Sequence, residues 1–460
     1  LHIRNRVRAL LLTGLVFVTF DFQQQVSAET LADAFSGAYH HNASLDADRA
    51  RQRATDELVP QALSGWRPTI TAQGSIGHEL FNSKSSFGIN SYTVTDPKSL
   101  QITLTQPIFR GFKTIESTAQ AEANVKAGQQ QLLATEQTTL FNAAQAYMNV
   151  IQARQILALR QKNVSVLRAQ LNASDARFKA GELTRTDVAQ SRATLNGAQG
   201  QTAIAVANVK ASEASYLTIV GHLPGKLVAP RMAPRPQSLE VAYRIAQETN
   251  PTILAAAQVQ DAAEHQVNVL TGDLLPSINL QASASITGDQ SGVGSTSSSA
   301  LVQGVLTVPI YEAGRTYSTV RQAKETASQN RIQVIGATRA VRESVSNAWN
   351  GVQATGLALS ATNGQVASAR LALDGVRQEY QVGSRSTIEV LNAEQALVSA
   401  QITEVAARHD QLVASYQLLA AIGHLTGRHL GINGLYDVKE HYNDVRNKWI
   451  GLDPETLEPH

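Results

Sequence analysis

The chain has no cysteine. Disulfides, thiolate metal sites, thiol nucleophiles and lipid attachment at a cysteine are therefore excluded. Aromatic residues are scarce at 5%, and charged residues make up only 17% of the 460 positions. Ala, Gln, Ser, Thr and Asn fill the difference, a composition that suits long helices with wet faces better than a compact enzyme core. Past the N-terminus no apolar run approaches the roughly 20 residues of a transmembrane helix. Neither sign of charge dominates, with 39 Lys+Arg against 37 Asp+Glu. That balance gives no basis for nucleic-acid binding.

The N-terminus reads as a secretory signal. Arg4, Arg6 and Arg8 form a basic region, Leu10 to Phe20 an apolar stretch too short to anchor in a bilayer, and Val26-Ser27-Ala28 a small-residue cleavage site. Residues 1–28 are expected to be removed, so that the mature chain begins at Glu29. Without Arg4, Arg6, Arg8 and Asp21 it holds 36 basic and 36 acidic residues. An exported chain lacking a long apolar helix can enter a membrane only as β-strands, because only helices and closed barrels satisfy the backbone in lipid.

What is present is a duplication. Pro107-Ile108-Phe109 recurs 202 residues later as Pro309-Ile310-Tyr311. The same offset carries Phe178-x-x-Gly181 onto Tyr380-x-x-Gly383, Asp187-Val188 onto Glu389-Val390, and Gly221-His222-Leu223 onto Gly423-His424-Leu425. Such agreement at one offset means two copies of one structural unit. Residues 29–237 form the first repeat, 238–430 the second and 431–460 a C-terminal tail. Each repeat reads as shorter helix, strand, strand, very long helix, turn, shorter helix.

Residues 277–287, SINLQASASIT, alternate without a break. Ile278, Leu280, Ala282, Ala284 and Ile286 point one way; Ser, Asn, Gln and Thr point the other. A tilted strand crossing a bilayer needs this pattern, and so does a half-buried strand of a soluble sheet. The partner strand is expected at about 300–310, across a small polar loop, GDQSGVGSTSSS. In the first repeat the strands are expected at about 69–80 and 100–109, with Pro107 and Pro309 closing the returning ones. Two strands per repeat give four per chain. Four cannot close a barrel, and an open edge cannot face lipid, so several chains must share one. Eight strands, the smallest such barrel, allow a dimer; three chains give twelve.

The long helices are expected at about 113–178 and 316–380. Positions 341, 345, 348, 352, 355, 359, 362, 366, 369, 373, 376 and 380 hold mainly small or apolar residues, spaced alternately four and three apart. This is a coiled-coil seam, and small residues in it allow close side-by-side packing. The seam survives 202 positions earlier, from Thr139 to Phe178, with Arg160 and Ser174 as its weak points. Tips follow at about 179–186 and 381–388, then helices at about 187–220 and 389–422. Each shorter helix is about half the length of the long one, so two stacked end to end can flank it.

These residues resemble the TolC family of outer-membrane efflux proteins over nearly all of the mature chain. The resemblance rests on Asn250-Pro251, on the strand ends QPIFRGF and VPIYEAG, and above all on two turn motifs, FKAGELTRTDVAQSRA at 178–193 and YQVGSRSTIEVLNAEQAL at 380–397. The strand ends depart from the family's double glycine: one keeps only Gly111, the other only Gly314. The resemblance implies an α+β fold made mostly of long helices. Four strands per protomer would enter a shared twelve-stranded barrel in the outer membrane, and a periplasmic α-barrel would continue it. It implies a homotrimer that docks, through a periplasmic adaptor, onto an inner-membrane pump, either a proton-driven or an ABC transporter. It implies contact with outer-membrane lipid and no cofactor, metal or chemistry of its own.

The resemblance also assigns roles. Tyr380 and Arg385 correspond to gate residues holding inner and outer helix pairs together, with Thr186 and Asp187 of the other repeat as expected partners. Glu389 and Asn392 stand where the family places two carboxylates at the lumen constriction. A threefold ring of Glu389 would favour cations, and Asn392 in the second place should weaken that preference. Gly181 and Gly383 reverse the hairpins, and Leu183, Thr184 and Ser386 beside them are expected adaptor contacts. His40-His41 is a poor metal pair, since adjacent side chains diverge on a helix. GDQSGVG lacks the strand–helix context and Lys of a phosphate loop. The competing reading is a periplasmic coiled-coil scaffold or adaptor without a pore, which has no need of strands with one wholly apolar face. The motif wording looks most like family members that serve protein secretion as well as drug efflux.

Overall fold

The computed structural model describes residues 28–84, 87–88, 90–290 and 292–452. The expected signal segment, Ala28 apart, and the last eight positions of the tail lie outside the described residues.

Two helical stretches open the chain. Helix α1 (Leu31–His41) starts at a capping box in which Thr30 and Asp33 satisfy each other's backbone amides, and α2 (Ala43–Asp56) starts at Asn42, whose side chain accepts from Ser44 and Leu45. Helix α3 (Leu58–Leu63) and a 3-10 turn ending at Trp66 lead to the sheet. The strands are β1 (Thr69–Ile76), β2 (Glu79–Lys84), β3 (Asn90–Thr95) and β4 (Lys98–Arg110). Next come α4 (Lys113–Lys179) and α5 (Arg185–Val220). The second repeat runs α6 (Leu239–Thr249), α7 (Pro251–Thr271), β5 (Ser277–Gly288), β6 (Thr296–Thr307), α8 (Arg315–Gln381) and α9 (Thr387–Ala421). Short helices α10 (Gly427–Leu430) and α11 (Glu440–Val445) lie in the tail. Helices α4 and α8 have 67 residues each, about 100 Å at 1.5 Å per residue. Helices α1 to α3 and α5 lie along α4, and α6, α7 and α9 lie along α8, so each long helix is flanked by stacked shorter ones.

One antiparallel sheet runs β1-β4-β5-β6, joining the two repeats at its centre and leaving β1 and β6 as edges. Its register explains the alternation. Ala72 faces Ile102, Ile102 faces Ala284, and Ala284 faces Ala300; one row along, Ile70, Leu104, Ala282 and Val302 are aligned in the same way. Aligned neighbours share a face, so the sheet carries one apolar side across all four strands. The other side is polar on β1, β4 and β5, with Ser75 and Ser99 hydroxyls 2.7 Å apart and Ser285 and Ser299 2.9 Å apart, while β6 adds Leu301 and Val305 among its Ser, Gln and Thr residues there.

The strands differ from expectation in three places. The first hairpin reaches further, because β2 and β3 continue the β1–β4 ladder in unbroken register, Ile76 opposite Lys98 and Glu79 opposite Thr95. The ladder thins at Gly77-His78 and Asp96-Pro97, where Gly77 N–H donates to Pro97 O (2.9 Å) but Pro97 has no N–H to return. Pro107 does not close β4. The ladder absorbs it in a bulge, after which Phe109 pairs with Ile278 and Arg110 with Ser277. Strand β6 is displaced towards its N-terminus, starting at Thr296 and ending at Thr307. Serines that read as loop supply its polar face, and Pro309-Ile310-Tyr311 falls outside the sheet.

The main core lies at mid-height, where Tyr147 and Val150 of α4, Tyr216 of α5, Val345 of α8 and Leu418 of α9 are all buried. Every seam position of α8 from Val341 to Tyr380 is buried or half-buried. On α4 the seam ends at Phe178, which is exposed in the single chain. The described part of the tail climbs along α1 to α3 as a strap.

Candidate functional site

The two hairpin tips are built alike. At the first, Gly181 takes φ +82°, its N–H donates to Phe178 O (3.0 Å), and Glu182 N–H donates to Arg177 O (2.9 Å). At the second, Gly383 takes φ +82°, its N–H donates to Tyr380 O (3.1 Å), and Ser384 N–H donates to Glu379 O (2.9 Å). A left-handed glycine ends each long helix by satisfying its last carbonyls. Each returning helix then opens on an acidic side chain that accepts from the capping residue. The Asp187 carboxylate takes the Thr184 N–H (3.0 Å) and hydroxyl (2.7 Å), and Glu389 takes the Ser386 N–H and hydroxyl (both 2.8 Å).

Within the single chain, Arg385 and Tyr380 find their hydrogen-bond partners in their own repeat. Arg385 donates from Nε to Glu379 (2.7 Å) and from Nη1 to Glu389 (2.6 Å), both in its own repeat. The Tyr380 hydroxyl lies 3.3 Å from Thr387 Oγ1, not at Thr186. Asp187 is engaged by its own cap, and Thr186 is exposed. The physical reason is sequence distance: carboxylates one turn away on the same helix ends reach Arg385 without any inter-helix alignment. The Ser386 N–H, the Arg385 guanidinium and the Ser386 hydroxyl together hold the Glu389 carboxyl down at about 2, and its two carboxylate partners raise the Arg385 pKa further. Asn392 is exposed one turn further along α9, Leu183 is half-buried, and Thr184 and Ser386 are exposed.

Two connections escaped the sequence reading. The repeats do meet at the tip, through Arg177, whose guanidinium carbon sits 4.8 Å from the Tyr380 ring centroid. Above it, Leu167 of α4, Leu195 and Ala198 of α5 and Leu391 of α9 form a small buried cluster. The second connection is an ion pair between Arg377 of α8 and the buried Glu394 of α9. Glu394 stands on the buried stripe of α9, between Val390 and Leu391 on one side and Val398 on the other, and a carboxylate at that position was the signal available.

The family profile for outer membrane efflux proteins matches residues 35–222 and 242–424, one segment in each repeat. The chain belongs to the outer membrane efflux protein family. Among curated relatives, outer membrane efflux protein BepC of Brucella suis biovar 1 (strain 1330) is 42% identical over 451 residues, covering 96% of this chain and 95% of BepC. Outer membrane protein TolC of Escherichia coli (strain K12) is 27% identical, covering 98% of this chain and 91% of TolC. In fold, the Campylobacter jejuni CmeC outer membrane channel superposes with a TM-score of 0.76 at 14% identity, over 97% of this chain and 98% of that one. Membership in this efflux family places the chain in the outer membrane, with its sheet as the membrane part and its helices as the extension below. Members of the family are channel proteins that work with other components, and this chain supplies their outer-membrane exit duct.

Proposed function

We propose that three copies close into one duct, with β6 of each copy pairing with β1 of the next to give twelve strands around a polar lumen. The observation that carries this reading is the sheet itself. It is apolar on one side, polar on the other, and open at both edges, and an open edge is untenable in lipid. In the duct the long helices continue the wall through the periplasm. A periplasmic adaptor and an inner-membrane pump deliver the substrate to the tips. The names BepC and TolC attach to an efflux protein and an outer membrane protein, and their likeness to this chain supports efflux as its task.

The tips are the gate. The Glu379–Arg385–Glu389 triad stiffens the second hairpin, and Arg177 on Tyr380 joins it to the first. Opening requires these contacts to be exchanged for water or for an adaptor, which charge-assisted bonds at an exposed site permit. Leu183, Thr184 and Ser386, beside the two glycine turns, are the surface an adaptor would meet. Glu389 and Asn392 are assigned to the lumen wall, where three copies of Glu389 would favour cations.

The deciding experiment is single-channel conductance in a planar bilayer, wild type beside Tyr380→Phe/Arg385→Ser. A small wild-type current that rises several-fold in the double variant is expected. Equal currents would remove these residues from the gate, and no current from either would count against the duct. Adaptor pull-down distinguishes the clients, because peptide-exporting ATPases and proton-driven drug pumps use different adaptors.

A further inference from the structure

The C-terminal tail leaves the second repeat after α10 and follows the first repeat. It rises towards the membrane sheet, tied at each step. Tyr436 N–H donates to the Tyr39 hydroxyl (3.1 Å), and the Arg49 guanidinium lies 4.6 Å from the Tyr39 ring centroid and 5.4 Å from that of Tyr436. Higher up, His441 Nδ1 is 3.1 Å from the buried Asp56 carboxylate, and Tyr442 packs on Val59 and Val125. Arg446 then donates to Glu122 (2.9 Å). Last, Arg67 donates to Lys448 O (2.8 Å) and covers the Trp449 ring at 4.7 Å. Arg67 is two residues from Thr69, the first residue of β1, so the strap reaches the foot of the membrane sheet.

What it presents there is apolar. Trp449 is 67% exposed, Ile450 92% and Leu452 97%. Trp66, Phe112 and Tyr317 are exposed in the same strand-to-helix zone. We propose that Trp449-Ile450-Gly451-Leu452 is an interfacial foot lying in the periplasmic leaflet of the outer membrane, so that the strap ties the helical body to lipid.

Three observations favour lipid as the occupant. The patch lies close to the apolar side of the sheet, whose first member, Ile70, is three residues beyond the Arg67 that holds Lys448 and Trp449. An indole capped by a guanidinium, with two aliphatic side chains beside it, matches the boundary between headgroups and acyl chains, where Trp and Arg collect. The ties at Asp56, Glu122 and Arg67 also fix the height of the foot, which a freely swinging tail could not do. Gly451, between Ile450 and Leu452, takes φ +139°, which glycine adopts without the strain of a side chain, so the backbone can turn between the two aliphatic residues.

The inference rests on the outer-membrane placement of the sheet, and the test separates the two. The chain has no cysteine, so Ile450→Cys and Leu452→Cys each create a single site for a nitroxide in the full-length protein, at positions too exposed to disturb folding. Val302→Cys on the apolar side of β6 is the reference. In nanodiscs of phosphatidylethanolamine and phosphatidylglycerol, collisions with oxygen, which concentrates in lipid, are compared with collisions with a water-soluble nickel chelate. Oxygen collisions exceeding nickel collisions several-fold at 450 and 452, at a shallower depth than at 302, are expected. Nickel dominance at 450 and 452 with oxygen dominance at 302 would overturn the foot and leave the barrel intact. Protection from both reagents would seat the segment on protein and overturn it equally. Nickel dominance at 302 would instead refute the placement of the sheet.

Discussion

Arg377 on α8 is ion-paired with Glu394 on α9, and the first repeat holds the reversed charges at the equivalent places, Asp175 and Arg192. The partners are unequally buried, the Glu394 side chain 9% exposed and that of Arg377 45%. Burial of the acid and exposure of the base make the two halves of the pair respond differently to mutation.

Arg377→Met should cost more than Glu394→Gln. Removing the arginine strands a carboxylate in a dry site, a loss of about 2 kcal/mol once the exposure of Arg377 is allowed for. Removing the acid leaves a guanidinium that water can reach, about 1 kcal/mol or less. Hydrogen exchange of the amides in 387–398 measures the local opening. Equal protection loss in the two variants would contradict the asymmetry.

Acid should loosen the tip. The Glu389 carboxyl is held at about 2 against an ordinary 4.5, so the stabilisation is complete above pH 4.5 and lost as pH falls towards 2. Channel current at fixed voltage should climb over that window. In Glu389→Gln this acid limb should vanish, which separates Glu389 from other carboxylates titrating nearby.

The same substitution should also lower cation preference. Replacing a ring of three carboxylates by amides removes the fixed negative charge that attracts cations. The measurement is the reversal potential in a salt gradient; an unchanged value would show that Glu389 does not face the lumen.

Ala313→Gly should stabilise the protein. Where the family has two glycines at each strand end, this chain has Gly111-Phe112 and Ala313-Gly314, and all four residues have positive φ, from +52° to +79°. An alanine at φ +52° carries the steric cost that glycine avoids, so about 1 kcal/mol should be gained. Heat resistance of the assembled protein on semi-native gels reads the gain. Gly111→Ala should do the reverse, because a Cβ there would sit 2.5 Å from Gly272 O.

Much of the site could be read from the sequence, and what could not has a common cause. The capping roles of Asp187 and Glu389, three residues after Thr184 and Ser386, were passed over for the gate and lumen roles that the resemblance implies; the glycines at 181 and 383 were legible because a helix-ending turn is local. The choice of partner for Arg385 was not. Glu379 and Glu389 lie within six residues of Arg385, but both reach it only because the hairpin turn folds the end of α8 back beside the start of α9, which spacing alone does not fix. Arg177 on Tyr380 is of the same kind, a contact between helices about 200 residues apart.

The sequence by itself determined the repeat, the length of the helices, the seam and the alternation of the strands. Each is a periodicity of backbone geometry, 3.6 residues to a helical turn and two to a strand, and periodicity is written along the chain. Only the tertiary structure decided that β4 and β5 join the repeats in one sheet, that the ladder absorbs Pro107 in a bulge, and that the tail climbs to the foot of the barrel. Those outcomes depend on which surfaces meet, and surfaces that meet through Asp56 and His441, or Arg67 and Trp449, leave no period in the sequence to read.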